Sequence, residues 1–500
     1  MSFLRSSPGR SKRASSSGDL LGFELLYQLA YLSAVSAAGI PRSQVFRLAA
    51  ELPSTVSGYF LEIDRLARTM NYQYAEACQL VGQSAKEPEV KSLLLRMAGS
   101  LSSGESEMDF LHNEALVQAE SYGNQYERKL EGLKNWTDAY SALIVSAALI
   151  IVVAAISTVI YNMGTAFVTG LVAVTIGISG LGAWVIFRTA PQEVKTLAGP
   201  QGQPSQRVPR LMLFIFLPGG LAAGAILFAA GASVGWVLIL VGLLLVPIGI
   251  ASSKYDGRVT RQDADISSFY RVLGSTATAI GTTPAEAMGR IDLRSMDSLA
   301  APVKRLYERL KARAPLQLSW GRFVTETGSE LIGRSVRVFL DGVSLGGEPE
   351  EVGNRASVMT TKVNFMREKR KLVSSSFGWL SLAIHATISF LLVFVIEIVA
   401  GFGSMVQSAG VADLAMGGGA AGNSMLSFSF QNMQFLQFLM PLVLIALSII
   451  NALAAKVADG GYLYKFFLYL GITLFTSGLA IAIAPKLAGM IFGMGPEGGS

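Results

Sequence analysis

Between Trp136 and Tyr161 the sequence reads WTDAYSALIVSAALIIVVAAISTVIY, and after Asp138 no charged residue appears until Arg188. A helix rises 1.5 Å per residue, so roughly 20 apolar residues cross the hydrocarbon core of a bilayer. The stretch is long enough and apolar enough to do so. Four further blocks lack charge: Leu211 to Ser253, Leu372 to Ile396, Leu414 to Ala455 and Phe466 to Pro485. Glycine, proline and polar breaks divide the five blocks into seven spans, near 140–161, 166–187, 211–230, 233–252, 377–402, 435–455 and 463–484. The chain therefore reads as an all-α, multi-pass membrane protein.

Composition supports this. The 500 residues are 51% apolar and 15% charged, with a mean hydropathy of +0.45, whereas soluble domains average about 25% charge. The charge gathers in two stretches: 20–138 precedes spans 1–2 (139–188), a loop (189–210) and spans 3–4 (211–252), and 253–376 separates these from spans 5–7 (377–485). A basic, serine-rich arm at 1–19 lacks the apolar run of a secretory signal and reads as disordered. The glycine-rich 486–500 reads as a flexible tail.

Lysine and arginine accumulate in cytoplasmic loops. Arg188, Lys195, Arg207 and Arg210 lie between spans two and three, and Lys456 and Lys465 between six and seven. The segment from Gly403 to Gln434 has Asp413 as its one charge. These loops put the N-terminus and both charged stretches in the cytoplasm and the C-terminus outside, in a cell membrane protein.

The charged stretches share a pattern. GSLSSGESE (Gly99–Glu107) and GVSLGGEPE (Gly342–Glu350) lie 243 residues apart, and the same spacing sets Trp136 on Trp379 and Leu93 and Met97 on Val336 and Leu340. With one residue of slippage AAGIPRSQVF (37–46) meets AIGTTPAEAM (279–288). Such self-similarity predicts a duplicated helical bundle, parallel because four spans separate the copies. Gly104 and Gly347 are expected at turns that disfavour a side chain. Val303, Leu306, Tyr307 and Leu310 predict an amphipathic helix with Lys304, Arg305, Arg309 and Lys311 on its other faces.

Several chemistries are absent from the sequence. Cys78 is the only cysteine, and His112 and His385 lie far apart, so neither a disulfide framework nor a metal site is expected. No phosphate loop occurs. GGGAAG (417–422) and GMGPEG (493–498) match a nucleotide-binding glycine pattern but neither follows a strand, and linker is the better reading. Neither catalytic residues nor a cofactor is expected. Glu397 lies about 30 Å along its span from Phe377, near the outer interface. His385 is expected to face inward, in a packing or polar role. Gly220 with Gly224, and Gly231 with Gly235, have the spacing of close helix contacts.

The phrases AGIPRSQVFRLAAE and SLSSGESEMDFLHNEA before a span, with IGTTPAEAM and GGEPEEVGNRA in the second copy, resemble the type II secretion system F domain. Two copies with extra spans resemble its archaeal form, the platform of archaella and archaeal type IV pili, with bacterial tight-adherence platforms close to it. The resemblance covers about 20–485. It implies a non-enzymatic platform that contacts a hexameric, ring-forming secretion ATPase in the cytoplasm and receives pilin-like subunits from the bilayer. It leaves a homo-oligomer open. The second stretch carries 20 basic and 14 acidic residues over 253–376, and Arg305, Arg309, Lys311 and Arg313 are the expected partner-binding face. Lys369, Arg370 and Lys371 are expected to anchor to lipid headgroups. Nucleic acid is not an expected partner, because no basic patch is interleaved with aromatics. A transporter or channel is the alternative reading; the parallel repeat and the few polar residues at mid-span count against it.

Overall fold

The computed structural model describes residues 17–161, 165–197, 204–408 and 433–491. The arm 1–16, much of the 403–434 loop with Asp413 and GGGAAG, and the end of the tail with GMGPEG lie outside them. Among the described residues every regular element is helical, apart from one isolated bridge between Thr196 and Ser329.

The helices are α1 (Ser17–Ser36), α2 (Arg42–Ala50), α3 (Ser57–Thr69), α4 (Tyr74–Ser84), α5 (Pro88–Ser103), α6 (Glu107–Tyr161), α7 (Thr165–Thr189), α8 (Pro204–Ala229) and α9 (Val234–Ile280). They continue as α10 (Pro284–Ala287), α11 (Asp297–Lys311), α12 (Leu316–Thr327), α13 (Glu330–Ser344), α14 (Pro349–Ser408), α15 (Met433–Asp459) and α16 (Phe466–Ile491). Seven of them contain a window long and apolar enough to cross a membrane, in the seven places the sequence marks. The first, fourth and fifth spans are parts of longer helices of 55, 47 and 60 residues that also carry charged stretches. No proline separates charged from apolar sequence in α6 or α14, so nothing stops either helix at that boundary.

The chain divides into two compact units. One holds 1–129, 191–204 and 255–369, and the other holds 130–190, 205–254 and 370–500. The two charged stretches thus form one unit, where two separate bundles were expected. The reason is α1. Leu25, Leu26, Tyr27, Leu29, Ala30, Tyr31 and Leu32 are all buried, and a helix apolar on every side must be enclosed on every side. Elements of both stretches enclose it. Gln28 donates to the Ala49 carbonyl at 3.0 Å, and Phe23 packs on Tyr122 of α6. From the second stretch, Tyr31 donates to Asp341 at 2.9 Å and Arg334 to Glu24 at 2.8 Å. In the same unit α6 and α14 lie alongside each other, with Lys362 bonded to Glu120 and Lys369 to Glu127, each pair 242 residues apart.

In the apolar unit α9 and α16 meet along glycine. Gly235, Gly242 and Gly249 face Gly478, Gly471 and Leu468, so closely that a Cβ on Gly242 would stand 2.7 Å from the Gly471 carbonyl oxygen. Leu238, Leu245, Ile248 and Leu474 form the adjoining core. The expected glycine pairs behave differently. Gly220 and Gly224 do face α9, through Leu244, Val237 and Val241, but Gly231 sits in a turn at φ +86°.

Candidate functional site

The structure separates the four basic residues marked by sequence. Arg305 Nε donates to Glu326 Oε2 at 2.9 Å, and Arg309 is paired with the other oxygen of the same carboxylate. Both are thereby drawn against α12. Lys311 and Arg313 are exposed at the α11–α12 turn, beside the exposed Leu316 and Leu318. Arg313 holds a left-handed conformation at φ 59°. The other non-glycine residue with positive φ among those described is Asn71, at φ 55° in the α3–α4 turn, 242 residues earlier.

The turns also shift by one. Gly104 ends α5 at φ +77° with open space around its Cβ position, so conformation alone demands glycine there. Its counterpart in conformation is Gly346, at φ +102°. Gly347 is confined by packing, since a Cβ there would meet Val352 at 2.8 Å and the Gly342 carbonyl oxygen at 2.9 Å. Gly39 and Gly281, also left-handed, lie 242 apart as well. The spacing of 243 read from the GSLSSGESE and GVSLGGEPE stretches is therefore one residue too long for the left-handed turns. Left-handed backbone costs an L-residue roughly 1–2 kcal/mol. Gly104→Ala and Gly346→Ala should each lower stability by about that amount in detergent-solubilised thermal unfolding. Equal stability of both variants with the parent would remove the conformational role.

A second site was not legible in the sequence: a buried ionic centre built around Arg367 of α14. Its Nε donates to Glu193 at 2.9 Å and its Nη1 to Asp263 of α9 at 2.7 Å. Tyr126 of α6 also bonds to Glu193. Ser329 accepts from the Ile332 amide, capping α13, and bonds to Asp263 through its hydroxyl. Next to it Lys195 donates to Asp256 at 2.9 Å and to Thr260 at 2.7 Å. The backbone of the connecting segment is also held, with Leu197 N donating to Gly328 O and Glu330 N to Lys195 O.

Segment 191–197 is therefore anchored in the charged unit by both backbone and side chains. Asp263 lies beyond the apolar part of α9 and is 1% exposed. Burial pushes its carboxyl up to about 6, against the pull of the Arg367 guanidinium and the Ser329 hydroxyl. Clusters of perturbed, buried charge mark functional sites more often than chance. Here each ion has its partner, so the centre is suited to holding elements in place.

Within the apolar unit, His385 faces inward. Tyr140 donates to Asn451 Oδ1 at 2.8 Å, and the Asn451 amide donates to His385 Nδ1 at 2.9 Å. That leaves Nε2 as the protonated nitrogen, with Ser477 Oγ at 2.9 Å and the Thr473 carbonyl at 3.2 Å. Ser389 and Ser448 complete the cluster. Polar groups inside a bilayer must satisfy one another, and this set joins α6, α14, α15 and α16. Asn451, Ser448 and Ser477 carry no sequence signature beyond being polar in an apolar run.

The basic triad before span five is also reassigned. Lys369 is paired with Glu127. Arg370 is buried and donates to the carbonyls of Ala458 (3.1 Å) and Val457 (3.0 Å) at the end of α15, a placement that suits a cation. Lys371 alone of the three is exposed without a partner among the described residues.

No family model matches the sequence, and no solved structure matches it. The chain is 24% identical over 295 residues to a Methanococcus voltae protein named Flagella accessory protein J, over 56% of this chain and 52% of that one. It is 22% identical over 464 residues to Flagella accessory protein J of Methanocaldococcus jannaschii, an alignment spanning 89% of this chain and 79% of the relative.

Proposed function

We propose that the chain is a membrane platform for assembly of an archaellum or a related type IV pilus-like filament. The observation that carries this is the extent of the similarity to Flagella accessory protein J, 89% of the chain, which includes the charged stretches as well as the spans. The platform has no catalytic role of its own. It couples a cytoplasmic ring ATPase to insertion of pilin-like subunits, with the N-terminus and charged unit inside the cell and the C-terminus outside.

The charged unit descends, on this proposal, from a duplication. Recurrence of element starts supports it: α4 and α12, α5 and α13, and α6 and α14 each begin 242 residues apart. So does the recurrence of the left-handed turns at Gly39/Gly281, Asn71/Arg313 and Gly104/Gly346. The copies have diverged at the tips. The first presents Met70 and Tyr72, and the second presents Lys311, Arg313, Leu316 and Leu318.

The ATPase contact is assigned to the second tip. Lys311 and Arg313 lead it, because Glu326 already compensates Arg305 and Arg309. Rim charges act mainly on association rate and salt dependence, so the test compares charge reversals. The full chain in nanodiscs is used to capture the purified secretion ATPase of the same organism at low and high salt. Lys311→Glu with Arg313→Glu should weaken capture about tenfold at low salt, as expected of two cations each worth up to about 1 kcal/mol. Arg305→Gln with Arg309→Gln should weaken it less. Undiminished capture by a folded Lys311→Glu/Arg313→Glu chain would exclude this tip.

A further inference from the structure

Five cations of the apolar unit are exposed at the end of its spans where the chain joins the charged stretches: Lys134, Arg188, Arg210, Lys254 and Lys371. None has a carboxylate partner among the described residues. They stand on α6, α7, α8, α9 and α14, and so belong to five different helices. Two exposed acids, Glu131 and Asp138, flank Lys134 on α6, leaving an excess of three positive charges. At the opposite end, Lys486 is the one cation among the described residues.

Three of the four exposed tryptophans lie at the same end as these cations; the fourth, Trp236, lies at the opposite end, at the start of α9. Trp136, Trp184 and Trp379 are exposed, Trp379 at 76%, and each lies within about two helical turns of one of the five cations. The Arg188 guanidinium lies 5.7 Å from the Trp184 ring centroid. Indole rings seat at the headgroup level of a bilayer. A cation beside such a ring is placed at the phosphate depth, and a lysine or arginine near an anionic surface gains about 1 kcal/mol. Lys369 and Arg370, adjacent in sequence, are excluded by their protein partners.

We infer that these five cations and three tryptophans form a binding belt for anionic lipid headgroups on one leaflet. Lipid, in preference to a protein partner, follows from the distribution: the cations are spread over five helices, each at the charged end of its apolar run, near exposed indoles and exposed apolar residues such as Phe187, Leu211 and Leu372.

The test uses the full chain in phosphatidylcholine vesicles containing a minor fraction of phosphatidylglycerol. Electron spin resonance of labelled lipids reads how strongly each associates with the protein surface. The phosphatidylglycerol label should associate more strongly than the phosphatidylcholine label, by up to about fivefold per well-placed cation. Glutamine at all five positions should abolish the preference, as should molar salt on the unaltered chain. The salt arm stands even if the fivefold variant misfolds. Lys362→Gln with Lys369→Gln, which also removes positive charge, should leave the preference intact. Equal association of both labels with the unaltered chain would overturn the belt. So would a preference that survives the five substitutions, or one that the control pair abolishes.

Discussion

Gly242→Val should destabilise the apolar unit by about 3 kcal/mol or more, at the upper end of overpacking effects. The site has no room to relax. A Cβ at Gly242 meets the Gly471 carbonyl oxygen at 2.7 Å and the Phe475 amide nitrogen at 2.8 Å. Both are backbone atoms of a neighbouring helix, so relief requires α9 and α16 to separate along their glycine-lined contact. Without a hydrophobic driving force between helices in lipid, such close packing supplies much of their association. Gly219→Ala is the matched control. It lies inside α8 with open space at its Cβ position, and alanine in a helix interior gains roughly 0.5–1 kcal/mol over glycine. Thermal unfolding in detergent, followed by helical circular dichroism, distinguishes the two. A Gly242→Val chain as stable as the parent would mean that the α9–α16 contact is not made.

Arg367→Met should cost the charged unit about 3–5 kcal/mol, the range for removing one partner of a buried ion pair. Glu193 and Asp263 would both lose their cation. Arg367→Lys should fall between, because a single ammonium cannot reproduce the two directed bonds at 2.9 and 2.7 Å. Adding Glu193→Gln and Asp263→Asn to Arg367→Met should recover part of the loss by removing the stranded charges. Trp320 supplies a local readout. It is buried among Phe323 and Phe339, while the four other tryptophans belong to the apolar unit. A Trp320 unfolding midpoint unchanged by Arg367→Met would show that the ionic centre contributes nothing to the unit's stability.

Much of the architecture was legible because two signals are local. The seven apolar windows announce themselves by length and absence of charge. Of the predicted apolar face of α11, Val303 and Leu306 are buried and Tyr307 and Leu310 half-buried. Turn residues were nearly legible. Gly104 and Gly347 both disfavour a side chain as expected, but for different reasons: Gly104 by its left-handed φ, Gly347 by packing against Val352, while the left-handed residue of the second turn is Gly346. Of the basic face, residue type and exposure could be read. That Glu326 would engage Arg305 and Arg309 could not, since it lies on the next helix, 21 and 17 residues away.

The ionic centre was invisible for a stronger reason. Glu193, Asp263 and Arg367 are separated by 70 to 174 residues and meet because the charged parts of α6, α9 and α14 share one unit with α13. The glycines of α9 and α16 recur every seven residues, a spacing that indicates a face but not its partner. By itself, then, the sequence determined the helical class, the number of spans and the places where charge accumulates. Those follow from the length and hydropathy of contiguous segments, which a bilayer or a helix reads locally. Only the tertiary structure decided that the two charged stretches close around α1, that Arg367 is compensated, and which cations remain exposed. Those depend on which faces meet, and burial of an apolar face or a charge constrains only that some partner be found.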